Sequence, residues 1–168
     1  EDLVQNDSDS FEKAVLQMLQ QRLRELLADE APDLLEDGTQ QRIADLPASL
    51  HAPVFDMHVN AGANAVKLLQ RLLNEMGADL AIDGAIGAMT VAAAHRAAAA
   101  DPVLLADAYG IVRRNYYYAL ADARPASRKF ARRRDGGKGG WITRAEEFIS
   151  PRFRLSEAAH RERPAAWA

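Results

Sequence analysis

Three polar residues and a glycine interrupt the apolar helix face carried by Val54 to Leu73: Asp56, His58, Asn60 and Gly62. Polar groups set into a helix face are costly to bury without partners, so such positions are where chemistry or ligand contact is sought first. Asp56 and Asn60, four residues apart, share one helix face. They can satisfy neighbouring backbone groups, or line a cleft and orient a water or a sugar. A second polar set follows in Asp83 to Ala94, where an Asp83-Gly84 turn leads through Gly87 into a small-residue helix bearing Thr90. A helix start of this kind offers free amides to a carboxylate or a sugar hydroxyl, although a self-capped N-terminus has the same sequence. The third set is cationic: Arg124 to Arg144 holds eight Lys or Arg and one Asp. Tyr116, Tyr117, Tyr118 and Trp141 lie close to it in sequence. Aromatic planes stack on sugars or bases and the cations attract polyanions, whether nucleic acid, acidic lipid or an anionic cell wall.

Other chemistries find little support. The chain has 168 residues, a net charge of −3 and no cysteine, which removes disulfide frameworks and thiolate metal sites. Four histidines, at 51, 58, 95 and 160, stand at no metal-ligand spacing, so no metal and no cofactor are expected. No phosphate loop, dinucleotide fingerprint or nucleophile elbow is present. No apolar run reaches the length of a membrane span, and no charged-then-apolar leader opens the sequence.

The elements that must position these residues are all helical. Phe11 to Ala28 has an amphipathic pattern, with Asp29 to Gln41 a short helix or turn around Pro32. A helix from Val54, with Pro53 in its first turn, is expected to run to Met76 with an irregularity near Asn60-Gly62 and a stop at Gly77. Phe55, Val59, Ala65, Val66, Leu69, Leu72 and Leu73 are its expected inner face. Met89 to Ala100 is a second helix. Asp101-Pro102 caps a third, with Leu104, Leu105, Ala108, Val112, Tyr116 and Leu120 as its stripe. Ser127 to Arg134 reads as a short basic helix, residues 136–140 as a mobile or tightly turned run, and Trp141 to Ile149 as a last short helix. The class is all-α, one helical bundle over residues 1–150 followed by a tail at 151–168.

Taken in order, several of these pieces resemble a known pattern. Leu46-Pro47 precedes Val54-Phe55-Asp56 and Val59-Asn60-x-Gly62. Ala65-Val66-x-Leu68-Leu69-Gln70, Asp83-Gly84-x-Ile86-Gly87-x-x-Thr90, Asn115-Tyr116-Tyr117 and Gly140-Trp141-x-x-Arg144 follow. Residues 46–148 resemble the C-terminal half of glycoside hydrolase family 108, phage and bacterial N-acetylmuramidases, some labelled secretion activators, whose C-terminal part is a predicted peptidoglycan-binding module. The resemblance implies a lysozyme-like helical fold, peptidoglycan as partner and a periplasmic or wall-directed location, reached by export or from a phage or prophage lysis system. It also implies glycan-strand hydrolysis by a carboxylic general acid. Asp56, Asn60, Asp83, Thr90, Tyr117, Trp141 and Arg144 are then the expected site, with Asp56 the second carboxylate.

The family's acid is a Glu in a Glu-Gly-Gly stretch, followed by Asn-Asp-Pro and a Pro-Gly-Gly segment. Here Glu1 precedes Asn6-Asp7, but the glycines and the Pro-Gly-Gly segment are missing. Glu1 is the candidate acid on that echo alone. Two rivals accompany the hydrolase reading. One is a non-catalytic wall-binding or phage-structural protein. The other is a nucleic-acid binder using the basic run, disfavoured by the acidic net charge and the lack of a groove-reading motif.

Overall fold

A computed structural model describes residues 42–167. Residues 41–168 form one compact unit, and within the described part the regular structure is helical. The helices are α1 (Ala48–Ala61), α2 (Asn64–Glu75), α3 (Ala88–Ala100), α4 (Pro102–Ala123), α5 (Arg128–Ala131), α6 (Gly140–Glu147) and α7 (Glu157–Glu162). Single 3₁₀ turns at Pro125–Ser127 and Pro151–Phe153 join them. The unit is all-α. The expected elements before residue 42, Phe11 to Ala28 and Asp29 to Gln41, lie outside the described residues.

The long helix α4 is the centre, in contact with α1, α2, α3, α5 and α6. Its start is as expected, with Asp101 accepting from Leu104 N–H at 2.9 Å and Pro102 at the first position. α2 lays Ala65, Val66, Leu68, Leu69, Leu72 and Leu73 against the core, each large side chain contributing roughly 1.5–3 kcal/mol by burial. Its end is a Schellman turn. Ala78 N–H reaches Leu73 C=O and Gly77 N–H reaches Asn74 C=O, both at 3.0 Å, with Gly77 at φ 98°. α3 turns Ala93 and Ala94 inward, small side chains that allow a close approach.

Three details differ from the expected pattern. The Val54 helix is two helices, because Gly62, at φ 56° and ψ −136°, ends α1 in a conformation that side chains disfavour. α1 also begins earlier, at Ala48, so Pro53 lies inside it rather than in its first turn. With the chain broken, α1 has its own face: Leu50, Val54, Met57 and His58 are buried, whereas Val59 is exposed.

The inward face of α4 is likewise turned from the expected stripe. Leu105, Tyr109, Arg113, Tyr117 and Ala121 are buried, while Leu104 is exposed. An apolar-periodicity reading turns arginines outward; here Arg113 and Arg114 have buried polar partners that keep them in.

Residues 150–167 show no apolar stripe, yet they contain α7, capped by Ser156 and anchored by His160. The His160 ring is fully buried, with Nδ1 2.6 Å from Tyr118 Oη.

Candidate functional site

Asp56 on α1, Arg113 on α4 and Arg144 on α6 converge where their helices meet. Arg113 Nη2 donates to Asp56 Oδ2 at 2.6 Å. Arg144 Nε donates to Oδ1 and Oδ2 at 2.8 and 3.0 Å, and its Nη2 also donates to Oδ1. The carboxylate thus accepts from two guanidinium groups at once, the charge-assisted geometry that fixes an arginine most firmly. The two cations differ in setting: the Arg113 side chain is fully buried, whereas that of Arg144 is 56 % exposed. Asp56, through its hydrogen bond and its charge, raises the Arg144 guanidinium above its ordinary value. Asn60 stands at the rim and donates to the main-chain carbonyl of Asp56 at 2.8 Å.

Tyr117 extends this node. Its hydroxyl accepts from Arg113 Nε and Nη2, both at 3.2 Å, and donates to Met57 Sδ. Burial pushes the phenol up from its usual range, against the opposing pull of Arg113. The Tyr117 ring stacks on Trp141, with centroids 5.0 Å apart and planes 20° from parallel. Phe130 meets the same indole at 5.0 Å and is itself 45 % exposed. Tyr117, Trp141 and Phe130 therefore form an aromatic ledge that runs from a buried end to a solvent end. Gly139, between α5 and α6, permits the close approach of these short helices, since a Cβ there would lie 2.4 Å from Phe130 C=O.

Asp83 and Thr90 come together in a different network, centred on Gln70 of α2. Gln70 Nε2 donates to Asp83 Oδ1 at 2.7 Å and to Ala85 C=O at 3.0 Å, and approaches Thr90 Oγ1 at 3.4 Å. Its Oε1 accepts from Gly84 N–H. Ala85 N–H and then Gln70 hold the Asp83 carboxyl below its ordinary range. The arrangement clamps the Asp83-Gly84 turn onto α2, and Asp83 Oδ1 and both polar ends of Gln70 are spent on it.

A third network, absent from the sequence reading, lies around the buried Glu146. Arg114 Nη1 donates to Oε1 at 2.9 Å, Leu155 N–H to the same oxygen at 2.8 Å, and Lys138 Nζ to Oε2 at 2.5 Å. Burial pushes this carboxyl up, but Lys138, the Leu155 amide and Arg114 outweigh it, leaving Glu146 below the usual range. Arg113, Arg114, Gln70 and Glu146 were thus the residues sequence reasoning missed. For the arginines a signal existed: each lies four residues before an aromatic, Tyr117 or Tyr118, on the helix that carries the Asn115-Tyr116-Tyr117 motif.

Among the described residues no group of three or more His, Asp or Glu is gathered as a metal site, and no helix is long and apolar enough to cross a membrane. Glu1, the candidate acid, lies outside the described residues. Residues 64–146 match the model of a family described as a predicted peptidoglycan domain. This segment, just under half of the chain, is similar to that family. Arg113, Tyr117, Trp141 and Arg144 fall within it, as does the Gln70 clamp, while Asp56 and Asn60 precede it. Arg113 and Arg144 of the matched segment thus pair with a carboxylate on the helix just outside its N-terminal boundary. No curated protein and no solved structure matches the chain.

Proposed function

We propose that this chain acts on bacterial peptidoglycan, with residues 42–167 supplying the surface that holds the glycan strand. In this reading Trp141 and Phe130 offer ring faces to a sugar, Arg144 and Asn60 offer donors at the rim, and Asp56 is a positioning residue that fixes Arg144. Asp83 and Thr90, in their separate network, hold the turn that starts α3. The observation that carries the reading is the coincidence of the peptidoglycan-domain match with a pre-organised aromatic and guanidinium face on the same segment.

For the muramidase chemistry the best-placed carboxyls of the described unit are unsuited to the acid's role. A general acid for glycoside cleavage needs a carboxyl held protonated by an apolar or anionic setting. Asp56 has both oxygens engaged by two arginines, and Glu146 is held below the usual range by a lysine, the Leu155 amide and an arginine. Neither suits the acid's role, and Glu1 is the candidate that the family resemblance leaves within this sequence. The test is a turbidity assay on purified peptidoglycan beside a sedimentation assay, using the wild-type chain and Glu1→Gln. Clearing abolished by Glu1→Gln supports the assignment; clearing that survives it rejects Glu1. Sedimentation without clearing identifies a binder, and the absence of both clearing and sedimentation counts against the peptidoglycan reading itself.

A further inference from the structure

We infer that a cationic cleft beside the aromatic ledge receives the free carboxylates of peptidoglycan stem peptides, an inference that rests on the peptidoglycan reading above. The cleft, of about 290 Å³, is lined by Arg128, Lys129, Arg132, Arg133, Arg134 and Trp167. Five cationic side chains meet there: Arg133 pairs with Asp135 at 2.9 Å, and Asp122, itself paired with Arg163, lies within electrostatic reach of Arg128. Arg128 lies over the Trp167 ring at 5.6 Å and Arg132 reaches the Pro164 carbonyl, contacts that place the guanidinium groups without cancelling their charge. Lys129 and Arg134 make no ion pair among the described residues. Like charges gathered at this density repel one another, and an anion in the cleft relieves that repulsion.

The neighbourhood of the cleft narrows the anion. Lys129 Nζ sits 5.1 Å from the centre of the Phe130 ring, and Phe130 meets Trp141, so cleft and ledge share an edge. A ligand that lays a sugar on the ledge therefore presents its substituents to the cleft. The cations come from one short segment of a chain whose net charge is −3, so the basic surface is local rather than a track for a long polyanion. A largely neutral glycan bearing carboxylates on short side peptides has this distribution: ring faces for the ledge and isolated charges for the cleft. Complementary charge at such a rim acts mainly through long-range attraction and is weakened by salt.

The test uses the full chain with purified peptidoglycan freed of teichoic polymers, and with the same material after its carboxyls are converted to amides by carbodiimide and an amine. Affinity is read by sedimentation at low and raised salt for wild type, Lys129→Ala/Arg134→Ala and the charge-preserving Lys129→Arg/Arg134→Lys. The expected result is a loss of about three- to tenfold for the alanine double variant on untreated wall, as for two exposed ion pairs. Wild type should fall to the same level on amidated wall, the charge-preserving variant should bind untreated wall like wild type, and the alanine variant should not distinguish the two materials.

Equal binding of wild type to treated and untreated wall overturns the inference, as does an equal loss by the alanine variant on both. Tighter binding to duplex DNA than to peptidoglycan also overturns it, in favour of a nucleic-acid partner. Failure of wild type to bind untreated wall removes the peptidoglycan reading, and this inference with it. The charge-preserving variant separates loss of charge from loss of fold.

Discussion

Arg113 and Asp56, brought together from α4 and α1, form an ion pair in which the cation is fully buried and the anion keeps 12 % of its side-chain surface. The second guanidinium on Asp56, that of Arg144, comes from α6 and is exposed. Asp56 therefore links the core of the bundle to its surface, and the position of Arg144 depends on a contact that Arg144 itself does not make. Removing the carboxylate affects stability and surface together, while removing Arg144 affects the surface alone.

The first prediction follows from that asymmetry. Asp56→Ala leaves Arg113 buried without its counter-charge and should cost about 3 kcal/mol, read by urea unfolding. Asp56→Ala with Arg113→Met should cost less than Asp56→Ala alone, because no unpaired charge remains. A double variant as destabilised as the sum of the singles would show that the two residues are energetically independent.

Acid should weaken the fold by two routes with one sign. Glu146 lies below its ordinary 4.5 in the folded state, so its contribution is complete above that value and is lost as pH falls through the lower folded value. Burial lowers His160 from 6.5, so the ring is kept neutral and its contribution is complete above 6.5. That share is lost as pH falls below 6.5, where the unfolded chain takes up the proton and the folded chain resists it. Urea midpoints measured from pH 7 downward should decline in both ranges. Glu146→Gln should flatten the decline below 4.5 and leave the part below 6.5 in place.

Two glycines make a pair of contrasting tests. Gly62→Ala meets no atom within 4 Å, yet should cost about 1–3 kcal/mol because the backbone there sits at positive φ. Gly110→Ala is helical and unstrained, but its Cβ would lie 2.6 Å from Ile149 Cγ1. It should cost a comparable 1–3 kcal/mol, roughly, through overpacking. Combining Gly110→Ala with Ile149→Ala, which removes the clashing Cγ1, should cost less than the sum of the two single losses, whereas Gly62→Ala and Ile149→Ala should add, as thermal unfolding would show.

The Tyr118–His160 contact supplies a further stability test. It docks α7 on α4, with both side chains buried. Tyr118→Phe keeps the ring and removes the hydroxyl, so it should cost about 1–3 kcal/mol by leaving His160 Nδ1 unsatisfied. Limited proteolysis should then cut between residues 150 and 167 before it cuts α4.

Helix class, the Gly77 stop and the Asp101-Pro102 start are all legible because each depends on residues adjacent in sequence. The face of α4 is not, since it is decided by Asp56 and Glu146, carboxylates far along the chain that make buried arginines tolerable. The same reason hides α7, whose stability comes from one cap and one buried histidine rather than a stripe. In the candidate site, Asp56, Asn60, Tyr117, Trp141 and Arg144 are adjacent in space, a grouping that motif order pointed to and periodicity did not. Asp83 and Thr90 were visible as a helix start. Their shared partner Gln70 was not, because a glutamine in an amphipathic helix looks like any solvent-facing residue.

The most direct measurement is sedimentation of the full chain with purified peptidoglycan, comparing wild type with Arg144→Ala and Asn60→Ala. Both side chains are at the surface, so unfolding curves should match wild type. The account predicts that wild type sediments with the wall and that each substitution weakens this by about three- to tenfold, the scale of one rim hydrogen bond or ion pair. Wild type remaining in solution, or both variants sedimenting as wild type does, would contradict it.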